Sequence, residues 1–234
     1  MAITRVSDVY RQDTTSTSPS LSIGSTTAGN GLIVVFFWGL ETVSLSSVTM
    51  SGETITAFTN TLVTPDSSFH MRAQLYYVKN LASGGTKTAS GTLSSSVSWS
   101  MAIMEITGQN TSVFDDGTGN VAFDTSVSVA NPTVNITPTV SDCFLFGATS
   151  AQSGNATPGS GFTAPSTAWP EFNFYNNGEY LADYASTSTK AVNFTHSADR
   201  WLITAAAVRP AGGAPSGGAR LVAGIGGNFG LIRT

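Results

Sequence analysis

Apolar residues recur along this chain in short runs, with almost no helical three-to-four-residue spacing. Runs of strand length alternate with clusters of Gly, Asn, Ser and Pro, the pattern of an antiparallel sandwich or barrel. It predicts strands near 3–10, 32–38, 43–50, 53–62, 71–79, 86–94, 98–107, 124–130, 133–140, 142–150, 171–176, 179–186, 189–195 and 200–208. The fold class expected is therefore all-β: a single antiparallel β-sandwich with extended ends.

Some segments carry their own mechanism. Gly29-Asn30-Gly31 can take positive φ and launches Leu32–Trp38, a run apolar on both faces and so a central strand. Trp99, Met101, Ile103 and the stem of Glu105 share one face of the next long strand; Ala102, Met104 and Ile106 share the other. That strand also reads as buried on both sides. Asn176-Asn177-Gly178 predicts a hairpin turn, because Asn and Gly tolerate the left-handed conformation. Trp201–Val208 is the last core strand, closed by Pro210. No internal repeat of fixed period is evident.

Three regions follow: 1–28, a strand and an extended arm whose Ser/Thr-rich part (11–28) is an arm or linking loop; 29–210, the sandwich; and 211–234, a Gly-rich C-terminal arm. The last region carries Leu221, Val222, Ile225, Phe229, Leu231 and Ile232, too much apolar content for an idle linker. These residues are the expected partner-binding arm.

Composition narrows the class. Hydrophobic residues make up 41%, enough for a core, but charged residues only 10%, against about 25% in average globular chains. The net charge of −4 provides no basic footprint for nucleic acid, and no Lys/Arg run would hold an anionic membrane. Cys143 is the single cysteine, so no internal disulfide forms; in its apolar run it reads as a small buried hydrophobe. The first residues lack the apolar core of a signal peptide, and no stretch reaches 18 apolar residues. The expectation is a protein neither exported classically nor membrane-embedded, released by lysis as virion proteins are.

The order of motifs carries a resemblance. Gly29-Asn30-Gly31-Leu32-Ile33-Val34-Val35 leads through Ser47-Val48-Thr49, Leu75-Tyr76-Tyr77 and Gly85-Thr86-Lys87-Thr88 to Ile103-Met104-Glu105-Ile106-Thr107-Gly108. A second half runs from Asp142-Cys143-Phe144-Leu145-Phe146-Gly147-Ala148, through Gly159-Ser160-Gly161-Phe162-Thr163, to Arg200–Pro210. This layout resembles the jelly-roll-like β-sandwich modules of bacteriophage virion proteins and bacterial surface proteins. The resemblance implies a structural, adhesive or glycan-binding role and carries no catalytic residues across.

Candidate chemistry is sparse. Asp115, Asp116 and Asn120, with Asp124 nearby, read as a structural turn or as a Ca²⁺ site, a hard cation that takes six to eight oxygens; no other cofactor is expected. His70 and His196 read as polar surface or turn residues. Glu171 and Glu179 read as exposed strand residues, with a glycosidase pair as the other reading. Gly224–Gly230 lacks the strand and helix that a phosphate-binding loop needs. Trp38, Trp99 and Trp201 lie in core strands; Trp169, in a loop, and Tyr175 are the candidate glycan or partner contacts.

These readings converge on a non-enzymatic virion structural protein: a capsid decoration or cement subunit of a tailed bacteriophage, on the outer capsid surface. The expected partners are the major capsid protein or other virion subunits and further copies of itself, with a trimer preferred, and neither nucleic acid nor membrane. The other reading is a glycan-binding or adhesive module of a tail fibre or cell surface.

Overall fold

The computed structural model describes residues 2–65, 69–126, 129–167, 169 and 174–212. The strands are β1 Thr4–Ser16, β2 Ser20–Thr26, β3 Gly31–Gly39, β4 Leu45–Met50, β5 Thr56–Ala57, β6 Met71–Val78, β7 Gly85–Leu93 and β8 Val97–Thr107. Then follow β9 Asn120–Asp124, β10 Thr133–Ile136, β11 Cys143–Ala151, β12 Thr157–Pro158, β13 Tyr175–Tyr184, β14 Lys190–Thr195 and β15 Trp201–Val208. The chain is all-β and antiparallel, as the pattern predicts.

The sandwich has four layers. An outer sheet of order β2-β7-β4 covers an inner sheet β1-β8-β3-β6-β5; a second inner sheet, β13-β11-β15-β9, is covered by an outer sheet β10-β14-β12. The alternation along single strands shows how they stack. In β3, Leu32, Val34, Phe36 and Trp38 enter the core under the first outer sheet, while Ile33, Val35 and Phe37 enter the core between the inner sheets. In β11, Phe144, Phe146 and Ala148 enter that same central core, while Cys143 and Leu145 face the second outer sheet. Both strands are buried along their whole length. Each large apolar side chain so enclosed contributes roughly 1.5–3 kcal/mol.

Strand order exposes a duplication. Numbered within its own half, the second set repeats the first: β1-β8-β3-β6 and β2-β7-β4 recur as β9-β15-β11-β13 and β10-β14-β12. This is the order of a jelly roll, two Greek keys wound into two sheets. Among the described residues, only β5 lacks a strand counterpart; where Thr56 pairs with Tyr77, a single bridge joins Thr163 to Tyr180. Trp99 and Trp201 occupy equivalent places, opposite Trp38 and Ala151 and facing their own roll's core. Leu32 and Leu145 are equivalent likewise, opposite Glu105 and Ala207. Loops of unequal length make the step from Leu32 to Leu145 longer than that from Trp99 to Trp201. The sequence therefore shows no fixed period although the topology repeats.

Other expectations are corrected. Asn176-Asn177-Gly178 is no hairpin but lies inside β13, opposite Ser150, Thr149 and Ala148. None of the three takes positive φ, and Asn176 Nδ2 donates to Ser100 Oγ (2.8 Å) and Tyr10 Oη (3.3 Å). Tertiary partners outweigh the turn preference there. Residues 11–28 form no arm: β1 continues to Ser16 and β2 pairs with β7, with hydroxyls meeting in cross-strand pairs Ser20–Ser90 (3.1 Å) and Ser22–Thr88 (2.8 Å). The strand expected at 53–62 shrinks to Thr56–Ala57, and that at 124–130 ends at Asp124.

Candidate functional site at the seam between the rolls

The rolls meet inner sheet to inner sheet, and the loops before β6 and β13 each reach across to the other roll. The loop before β13 lies on β1. The Asp8 carboxylate accepts the Ser166 N–H (3.0 Å), the Ser166 hydroxyl (3.0 Å) and the Thr167 N–H (2.7 Å), while Thr167 Oγ1 donates to the Asp8 carbonyl (2.8 Å). Arg5 ion-pairs with the same carboxylate. Burial raises the Asp8 carboxyl, but the hydrogen bonds from Thr167 and Ser166 outweigh it and hold the group below its ordinary pKa. Trp169 then seals this side, stacked on Tyr10 at 5.3 Å and edge-on to Phe37 at 6.3 Å. Gly178 makes room for it: a Cβ there would sit 2.6 Å from the indole.

The reciprocal contact uses the loop before β6 and the approach to β9. The Asp115 carboxylate accepts the Thr59 N–H and Thr59 hydroxyl, both at 2.8 Å, and Thr204 Oγ1 donates to the Thr61 carbonyl (2.9 Å). The two clasps match: in each, an Asp carboxylate accepts the N–H and the hydroxyl of one residue, Ser166 in the first and Thr59 in the second. The seal does not. The sequence has Thr64-Pro65-Asp66 where the other loop has Trp169-Pro170-Glu171, and Thr64 is exposed. Phe69 and Phe174, next along each loop, meet edge to face at 5.8 Å.

This side stays open as a groove of about 710 Å³. Asn60, Gln74, Asn120, Asn135 and Thr137 line it with amides and a hydroxyl, Leu62 adds an apolar wall, and Gly119 lets the Thr59 carbonyl pack closely beside it. No described lining residue is charged. Such a lining can hydrogen-bond an uncharged polar ligand or a polypeptide main chain, donating and accepting alike. No family model, curated protein or solved structure matches the chain. The groove's meaning is therefore read from its own chemistry.

The acidic candidates turn away from one another. Asp115 serves Thr59 and the Gly117 N–H (2.8 Å). Asp116 accepts the Thr139 N–H (2.6 Å) and hydroxyl (2.7 Å) and ion-pairs with Arg209 at 2.8 Å. Asn120 donates to the Asn135 carbonyl (3.1 Å) and accepts the Val121 N–H (2.9 Å). The turn reading fits this placement. Among the described residues, no three His, Cys, Asp or Glu side chains converge as a metal cluster.

Trp169 is only 8% exposed, so the expectation of an exposed glycan contact there is overturned: its ring stacks inward on Tyr10. Tyr175 is half-buried and packs on the second roll's core. Trp38, Trp99, Trp201 and Cys143 are core residues as expected, and burial, the largest influence, pushes the Cys143 thiol up to about 12. His70 is exposed beside Glu41 (2.7 Å). His196 is buried instead, with Nε2 2.8 Å from the Ser153 carbonyl and Nδ1 2.6 Å from that of Ser197.

Glu179 is fully buried rather than exposed. Its Oε2 accepts the Gly159 N–H (2.8 Å) and its Oε1 has no hydrogen-bond partner. Burial pushes this carboxyl up to about 7, against hydrogen bonds from Gly159 and Asn193 and the charge of Lys190. Glu171, Leu221, Val222, Ile225, Phe229, Leu231 and Ile232 lie outside the described residues, as does the Gly224–Gly230 segment. The sequence reading missed Asp8 and the groove's glycines, because their partners lie far away in sequence and no local pattern marks them.

Proposed function

We propose that the protein is a non-catalytic assembly subunit, a capsid decoration or cement protein of a tailed bacteriophage, acting through a rigid body and its C-terminal segment. The observation that carries this reading is the chain's division of labour. The two rolls bury their apolar strands in closed cores, while Leu221, Val222, Ile225, Phe229, Leu231 and Ile232 follow the last core strand in a Gly-rich stretch of the sequence. Jelly rolls recur in capsid and lectin domains, a fold-level analogy that agrees with this role. Multiple copies on a lattice multiply a modest affinity per arm. Deleting residues 211–234 should abolish binding to the parent particle while thermal unfolding of the body is retained; binding that survives the deletion refutes the proposal.

A further inference from the structure

The groove at the seam is assembled from both rolls. Asn60 and Gln74 come from the first; Asn120, Asn135 and Thr137 come from the second. Their backbone is held in place by bonds within the protein. Thr59, next to Asn60, is clasped by Asp115, while the Thr61 hydroxyl donates to the Phe58 carbonyl (3.0 Å) and the Thr61 carbonyl accepts the Thr204 hydroxyl (2.9 Å). Asn120 donates to the Asn135 carbonyl at 3.1 Å, which ties the two residues of the second roll together. The side-chain amides of Asn60 and Asn135 have no hydrogen-bond partner among the described residues, and both residues are exposed.

We infer that this groove is a binding site for a neutral saccharide. A side-chain amide sets an N–H donor beside a carbonyl acceptor, and a sugar hydroxyl both donates and accepts, so one amide engages two neighbouring hydroxyls. The amides of both rolls and the Thr137 hydroxyl present such groups on either side of the seam. Leu62 and Val121 give the C–H face of a sugar ring an aliphatic surface. The volume of about 710 Å³ lies within the roughly 300–1,000 Å³ of small-molecule sites.

Other ligand classes fit this lining less well. Its described residues offer no cation to a phosphate, sulfate or carboxylate group, and the chain's net charge of −4 opposes anions. The neighbouring carboxylates are engaged elsewhere, Asp115 with Thr59 and Gly117, Asp116 with Thr139 and Arg209. Amides and hydroxyls left unpaired by a wholly apolar ligand would oppose its binding. Phe58, the one aromatic residue of the described lining, is 2% exposed and offers no face to a nucleobase. With no ring to stack on, a single groove binds weakly, and many copies on one particle multiply that affinity. This activity belongs to the folded body and goes beyond the assembly role of the C-terminal segment.

The test uses the full chain on a glycan array that carries neutral oligosaccharides of hexose, deoxyhexose and N-acetylhexosamine beside sialylated and uronic-acid members. A neutral member should bind. Titrated with that oligosaccharide, the side-chain amide signals of Asn60 and Asn135 should shift in nitrogen-correlated NMR spectra. Asn60→Gly, which keeps the positive φ of 55°, and Asn135→Ala should each weaken binding about tenfold with the melting temperature unchanged. Deleting residues 211–234 should leave glycan binding intact, which separates this outcome from that of the particle assay. No neutral glycan bound, binding to acidic glycans alone, binding unaffected by both substitutions, or binding lost with residues 211–234 overturns the inference. Neutral-glycan binding that depends on Asn60 and Asn135 upholds it, whether or not particle binding survives the deletion.

Discussion

Replacing Glu179 with Gln isolates the effect of a carboxyl enclosed in the second roll. Its pKa rises from 4.5 to about 7, because burial penalises the charged form more than the Gly159 and Asn193 hydrogen bonds and Lys190 favour it. Below pH 4.5 the folded and unfolded chains both hold the proton, and no penalty arises. Between about 4.5 and 7 the unfolded chain releases it while the folded chain keeps it, so stability falls as pH rises; above about 7 the loss is complete. The gap corresponds to about 3 kcal/mol, or roughly 6–12 °C in melting temperature for a chain of this length. Gln retains an acceptor for the Gly159 N–H and cannot ionise. Thermal unfolding followed by circular dichroism at pH 5 and pH 8 should show the drop in the parent, with Glu179→Gln losing that component and gaining stability at pH 8. Equal pH dependence in both proteins would refute the reasoning.

Trp169→Ala should cost about 3–5 kcal/mol by opening a void against Tyr10 and Phe37, measured by urea unfolding; a cost near zero would place the indole in solvent. Gly119→Ala should be strongly destabilising, because its Cβ would collide with the Thr59 carbonyl, whereas Gly52→Ala meets no atom and suffers only from its positive φ. Differential scanning calorimetry separates the two. Cys143, fully buried with its thiol pushed up to about 12, should react with a thiol reagent only as fast as the protein unfolds; rapid labelling of native protein would contradict its placement.

The central strands were legible in the sequence because burial on both faces leaves an unbroken apolar run, as in Leu32–Trp38. What lay beyond local pattern was pairing. Asn176-Asn177-Gly178 has turn residues, yet Ser100 and Tyr10 supply partners from the other roll that hold it extended. Ser20–Thr26 looked too polar for core structure, but an outer sheet needs only one apolar face, and Leu21 and Ile23 provide it. Glu179 resembled a surface residue because no neighbour in sequence reveals the sheet that closes over it. The groove was invisible for the same reason: its walls, Asn60 to Leu62, Gly117 to Val121 and Asn135, come together only in the fold.

Joining both rolls in one chain has a consequence for stoichiometry. Two identical subunits meeting about a two-fold axis would carry every surface feature twice, and a cleft on one flank would recur on the other. Fusion released the flanks from that constraint, so one could be plugged while the other stayed open. Each chain therefore presents one such groove rather than a symmetric pair, and whatever fits it binds one per chain.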